Sequence, residues 1–199
     1  TNRMALSETA YDEMDRVWKT TRHKIDDADG SDDDTLTSLT WYDPRGRPIE
    51  VRGEEYRKSA YDRLGRVTDQ YVLAKTDDTV YADADDVTGD IVLEQHGTRY
   101  DETKSDVLMS VMIQRMHNDI SGGETTGALD TNADNDALLV TAANLKGRAQ
   151  ITANWHDQFG RVTDMVQYGT YGGSNFDRDG LSVPSRSDTA LRSTTDYNT

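Results

Sequence analysis

The chain has no cysteine, which removes disulfides together with every metal site or nucleophile built on a thiol. It also lacks an apolar run long enough to cross a bilayer: the most apolar stretch, 107–116, is interrupted by Ser110, Gln114 and Arg115. Basic residues are few. The 22 Lys and Arg face 37 Asp and Glu, and a net charge of -15 argues against DNA or RNA as a partner, because phosphate binding needs clustered cations. Apolar residues make up only 34% of the 199. With a mean hydropathy of -0.83, any core is thin relative to its surface, as in an array of stacked repeats. No charged-then-apolar leader pattern opens the chain and no closing element ends it, so it is expected to be an internal piece of a larger protein.

What is present is an internal repeat. Tyr11-Asp12-Glu13-Met14-Asp15-Arg16-Val17 matches Tyr42-Asp43-Pro44-Arg45-Gly46-Arg47-Pro48, then Tyr61-Asp62-Arg63-Leu64-Gly65-Arg66-Val67, then His156-Asp157-Gln158-Phe159-Gly160-Arg161-Val162. A degraded fifth copy, 100–105, starts at Tyr100-Asp101 but has Lys104 and Ser105 where Gly and Arg stand elsewhere. The pattern reads as strand, tight turn and returning strand. Asp can accept a hydrogen bond from the amide two residues on, and Gly three residues after it supplies the positive φ that closes a type I turn with a bulge. Asp15 holds the Gly position in the first copy, and Asp tolerates the left-handed region better than most residues. Each copy, near 11–17, 42–48, 61–67, 100–105 and 156–162, is therefore expected to be a hairpin tip. Within a tip, the aromatic before Asp and the Arg after Gly lie on opposite strands, where ring and guanidinium can stack and the Arg can reach the Asp.

Flanking runs such as 39–42, 67–72 and 162–168 are rich in β-branched and aromatic residues, as strands are. The run 107–116 fits a helix face as well as a strand, and its place after a repeat copy favours a strand. Acidic, small-residue tracts at 26–34, 76–90, 121–136 and 169–187 read as surface loops of variable length. The expected fold is all-β: an array of antiparallel β-hairpins over the whole of 1–199, part of a spiralling sheet or shell, with a core of Trp, Tyr, Val, Leu and Ile.

The four full copies resemble the YD-repeat, or RHS-repeat, family, whose motif is Tyr-Asp, two variable residues, Gly-Arg and an apolar residue. Residues 61–67 fit it completely; residues 42–48 depart only at Pro48. The resemblance runs over nearly the whole chain, the acidic tracts being unmatched. It implies a non-catalytic scaffold or shell in a secreted or cell-surface protein, whose partners are neighbouring repeats of the same chain and either a C-terminal toxin cargo or the glycans and surfaces of another cell.

Chemistry-bearing patterns are sparse. His23, His96, His117 and His156 have no metal-ligand spacing, and His156 stands in the Tyr slot of its copy, where a planar structural residue serves. With 37 acids, no carboxylate pair is distinguished as a glycosidase pair would be, and Gly122-Gly123 and Gly172-Gly173 lack the Lys or Ser of phosphate loops and nucleophile elbows. No enzyme and no cofactor are expected. Calcium is the sharper alternative: Asp130, Asn132, Asp134 and Asp136 alternate like the first ligands of an EF-hand loop. Asn135 and Thr141, however, replace its Gly and its bidentate Glu, so a solvated acidic loop is the first reading. Trp18, Trp41 and Trp155 could stack on sugars, although beside repeat turns such rings more often pack one hairpin on the next. Two functional classes follow: a structural repeat region, and a calcium-dependent carbohydrate or cell-surface binding module.

Overall fold

The computed structural model describes residues 6–25, 31–76, 80–116, 125–130, 139–140, 145–171 and 175–197. Eleven strands form one antiparallel sheet: β1 (Leu6–Tyr11), β2 (Val17–Ile25), β3 (Asp32–Tyr42), β4 (Pro48–Arg52), β5 (Tyr56–Tyr61), β6 (Val67–Lys75), β7 (Ile91–Tyr100), β8 (Val107–Arg115), β10 (Gly147–His156), β11 (Val162–Tyr171) and β13 (Leu191–Thr194). Two short strands, β9 (Leu139–Val140) and β12 (Phe176–Asp177), pair separately, and a single 3-10 turn spans Tyr81–Asp83. In the large sheet each strand neighbours the next in sequence order, so the chain runs up and down without crossovers. The stretch at 107–115 is a strand, β8, paired on both sides with β7 and β10.

All five tips lie at one end of this sheet, because each joins a strand at an odd position in the sheet order to the next one: β1 to β2, β3 to β4, β5 to β6, β7 to β8 and β10 to β11. The register slips by one residue at every tip, between Ala10 and Tyr11, Trp41 and Tyr42, Ala60 and Tyr61, Arg99 and Tyr100, and Trp155 and His156. These bulges are the extra residue that a type I turn needs to match the twist of its strands. At the other end, β4 and β5 are joined by the short turn 53–55, whereas the acidic tracts make the longer connections.

Three of those connections fold back over one face of the sheet and complete the core, which differs from their reading as surface loops. Leu73, Val92, Met109, Val111, Ile113, Ala149, Ile151 and Ala153 point from the strands, and Val87, Leu129 and Phe176 close over them from the connectors. A buried side chain of that size contributes roughly 1.5–3 kcal/mol, which offsets the cost of ordering otherwise polar loops. The alternation of β10, with Ala149, Ile151 and Ala153 buried and Arg148 and Gln150 exposed, shows why one face attracts this cover and the other stays wet. Apart from Phe176 the core is aliphatic, with Val, Leu and Ile as expected joined by Ala149, Ala153 and Met109; the Trp and Tyr rings expected in it stand around it instead. Tyr56, Tyr71, Trp155 and Tyr168 pack against its rim, and Trp18 is exposed. Ala149 and Ala153 leave room there for the covering connectors to approach the strands.

Polar anchors fix this second layer. The Gln95 side-chain oxygen accepts from the amides of Leu129 and Asp130 at 2.9 and 3.0 Å. Trp155 Nε1 donates to the Leu181 carbonyl, and Arg178 donates to the Asn154 carbonyl while lying 4.3 Å over the Trp155 ring. The connector after β6 reaches furthest: Tyr81 donates to the Tyr42 carbonyl beside the second tip.

Gly147 marks the tightest strand approach, since a Cβ there would lie 2.4 Å from the Gln114 carbonyl oxygen, whereas one at Gly53 would meet only the Ser38 hydroxyl at 3.3 Å. Gly147→Ala is expected to destabilise the protein by about 2 kcal/mol or more and Gly53→Ala by well under half of that, measured as urea-unfolding midpoints.

Candidate functional site: the ladder of hairpin tips

Each full tip is built the same way from its Asp. The Asp12, Asp43, Asp62 and Asp157 amides donate to the carbonyls of Arg16, Arg47, Arg66 and Arg161 at 2.8–2.9 Å. The Asp carbonyl in turn accepts from the residue three on, Asp15, Gly46, Gly65 or Gly160. Those four residues have φ of 59°, 84°, 89° and 78°, the left-handed conformation the turn requires. One carboxylate oxygen accepts two amides: in the third tip, those of Leu64 and Arg66, each at 2.9 Å. The other oxygen accepts from the arginine Nε, at 2.7 Å for Arg16, 2.6 Å for Arg47, 2.5 Å for Arg66 and 2.7 Å for Arg161. A single carboxylate thus holds the turn backbone and aims the guanidinium.

The guanidinium is aimed outward, at the next tip. Arg16 lies over the Tyr42 ring at 4.6 Å, Arg47 over Tyr61 at 4.2 Å, Arg66 over Tyr100 at 4.3 Å and Arg161 over Tyr197 at 4.4 Å. The stacking expected between the motif ring and arginine of one copy is therefore made with the next ring along the sheet, because the Nε bond to the carboxylate aims the guanidinium that way. The contact is reciprocated. Tyr42, Tyr61, Tyr100 and Tyr197 donate their hydroxyls to the carbonyls of Val17, Pro48, Val67 and Val162, the residue after each arginine. This use of a carbonyl explains how Pro48 fits the last motif position, which needs an acceptor and no N–H. Arg16 and Arg66 also donate to the carbonyls of Asp43 and Asp101.

The tip at 100–105 is one residue longer, with the Asp101 amide on the Asp106 carbonyl and its carboxylate taken by Thr103 and Lys104. Asp106 occupies the place of the missing arginine. Its carboxylate lies where a Cβ on Gly160 would approach to 2.9 Å, just as Arg16 and Arg47 face Gly46 and Gly65. Its partner slot in the next tip is His156, whose Nδ1 is buried without a hydrogen bond. One rung of five therefore exchanges arginine and tyrosine for aspartate and histidine. The turn chemistry marks the individual residues in the sequence, but pairing across 14–36 positions carries no local signal; Tyr197, outside any recognised copy, shows this most clearly.

Electrostatics follow from the same geometry. At Asp43, Asp62 and Asp157 burial pushes the carboxyl up, and the paired amides and guanidinium outweigh it, so the group is held below the usual carboxylate range. Asp12 is lowered chiefly by the Arg16 amide.

Of the calcium candidates, Asp130 is described and Asn132, Asp134 and Asp136 lie outside the described residues, as does His117. Among the described residues no cluster of three or more His, Asp or Glu could hold a metal ion. His23 and His96 each approach a glutamate, Glu8 and Glu94, at 3.5 Å. An open groove of about 510 Å³ near the 53–55 turn is lined by Thr20, Arg22, Leu36, Ser38 and Glu55 among others, with no aromatic ring on which a sugar could stack. Trp41 and Trp155 are covered by Arg52 and Arg178. No helix among the described residues is long and apolar enough to cross a membrane.

Two outcomes are expected of the ladder. Arg47→Met and Tyr61→Leu, singly and together in a double-mutant cycle, should show a coupling of about 0.5–1 kcal/mol in unfolding free energy, whereas Arg47 with Tyr42, on its own tip, should show none. Because the tip aspartates are depressed when folded, their contribution is present above the usual carboxylate range and lost as pH falls through it; the melting temperature should hold down to about pH 5 and drop steeply below about pH 4. Asp62→Asn should lower the neutral-pH melting temperature and flatten that drop.

No family model and no curated protein matches the chain. Among solved structures it is similar, weakly, to a chain of the "Crystal Structure of TcdB2-TccC3-Cdc42", at 11% identity and a TM-score of 0.32, covering 98% of this chain and 11% of that one. A chain of "TcdB2-TccC3 without hypervariable C-terminal region" gives 12% identity and a TM-score of 0.30, covering 95% and 12%. The chain spans about a tenth of the length of either.

Proposed function

We propose that the chain is a non-catalytic structural segment of a secreted or cell-surface protein, a wall of YD-type hairpins serving as scaffold or shell. The observation that carries this reading is the ladder: the motif residues Asp, Arg and Tyr are spent on one another, tip to tip, which is the chemistry of a wall rather than of a site that turns over substrate. Further repeats of the same chain are its natural partners. Among the described residues β1 pairs only with β2 and β13 only with β11, so both margins carry backbone groups able to accept another strand. Tyr11 supports the same reading, for its ring is 60% exposed and fits the slot that an arginine fills over Tyr42 and Tyr61.

Electron microscopy of the protein in its complete reading frame tests this. The expected result is a strand added beyond β1 and an arginine seated on Tyr11; a solvated β1 margin with Tyr11 bare would overturn it. Melting with calcium against chelator separates the competing class, since a ligand that binds the folded state raises the melting temperature. No shift is expected, and a calcium-dependent rise would replace the scaffold with a calcium-dependent binding module.

A further inference from the structure

Beneath the connector after β6 lies a group of charges that the ladder does not use. Lys58, in the middle of β5, is 2% exposed, and its Nζ lies 2.6 Å from Oδ2 of Asp90, which is fully buried. The ammonium also donates to the carbonyls of Asp83 and Asp86. Directly across the strand pair, in register with Lys58, stands Glu50 on β4, whose side chain is fully buried and ion-paired with Arg52. Cross-strand partners project to one face with their Cβ atoms about 4.5–5.5 Å apart, so the buried Glu50 side chain lies on the same face of the sheet as Lys58. Asp90 is also rigidly held, its amide on the Val87 carbonyl and its carbonyl on the Gly127 amide.

We propose that Lys58 and Asp90 condense to an intramolecular isopeptide bond, with Glu50 relaying the proton. The inference stands apart from the scaffold reading. Burial disfavours separated charges, so passing one proton from the ammonium to the carboxylate yields a free amine beside a carboxylic acid. Nζ then attacks Cγ of Asp90, forming the C–N bond. A second proton leaves nitrogen through Glu50 to the departing oxygen, the C–O bond breaks, and one water is released; nothing is oxidised or reduced. Two groups fixed in contact have effective molarities on the order of 10⁵ M or more, and exclusion of water opposes the reverse hydrolysis. The amide keeps one N–H for the carbonyls of Asp83 and Asp86, and two buried charges disappear. The bond would close a loop of β5, β6 and the returning connector in a chain that has no cysteine with which to make such a staple.

The test is peptide mass spectrometry of the full protein, digested after denaturation. The expected result is one branched peptide joining the segments around 58 and 90 and lighter than their sum by one water. Asp90→Asn should give the same product by loss of ammonia, Asp90→Ala none, and Glu50→Gln should slow its appearance at least tenfold. Recovery of both segments as separate, unmodified peptides from the wild-type protein would overturn the proposal and leave a buried ion pair; this reading needs no variant to fold. An unchanged rate in Glu50→Gln would remove Glu50 from the step.

Discussion

The structure depends on one carboxylate per hairpin. An aspartate that accepts two turn amides through one oxygen and an arginine Nε through the other does three tasks at once: it sets the turn, fixes the register slip beside it, and points a cation at the neighbouring hairpin. Take the carboxylate away and the arginine, with its several rotatable bonds, loses the pre-organisation that makes stacking on a distant ring inexpensive in entropy. The rungs then become transient surface contacts of the kind that contribute little.

Such a ladder matters because the sheet has little else at its N-terminal side. β1 is largely exposed, β2 is buried only at Ile25, and the apolar cluster begins only at Leu73. Where connectors fold back, apolar cover holds strands together; where they do not, the tips supply side-chain links between successive hairpins. The meander's parity places every motif turn at one end, so the acidic connectors start from the other and fold back over the face, reaching Tyr42 and Trp155 beside the tips.

The sequence made the turns legible because their chemistry is local. Asp, a positive-φ residue and Arg within five positions suffice to specify a tip, and even the substitution of Asp15 for Gly could be read from conformational tolerance. The partner of each arginine was not legible, because strand twist and bulge geometry decide which ring it meets. Val, Leu and Ile form the core as expected, but the place of the Trp and Tyr rings was not legible for a related reason. Rings look like core in a sequence, but here alanines at 149 and 153 leave room for Leu129 and Phe176 to descend from polar tracts whose composition advertises solvent.

The rung between 100–106 and 156–161 shows what the ladder demands of a sequence. At the arginine slot stands Asp106, and at the facing tyrosine slot stands His156. A carboxylate over a phenol ring would meet the negative face of its π-system, which is repulsive, whereas an imidazole offers a polar edge and an ionisable nitrogen. The two departures from the repeat fall at the same rung although fifty positions apart. The longer turn at Asp101 belongs to the same departure: with no arginine to grip, its carboxylate takes Thr103 and Lys104 instead, and Arg66 of the preceding tip reaches in to the Lys104 carbonyl. The meander thus continues across a rung in which both motif residues are replaced, and the constraint the repeat places on sequence lies between hairpins as well as within them.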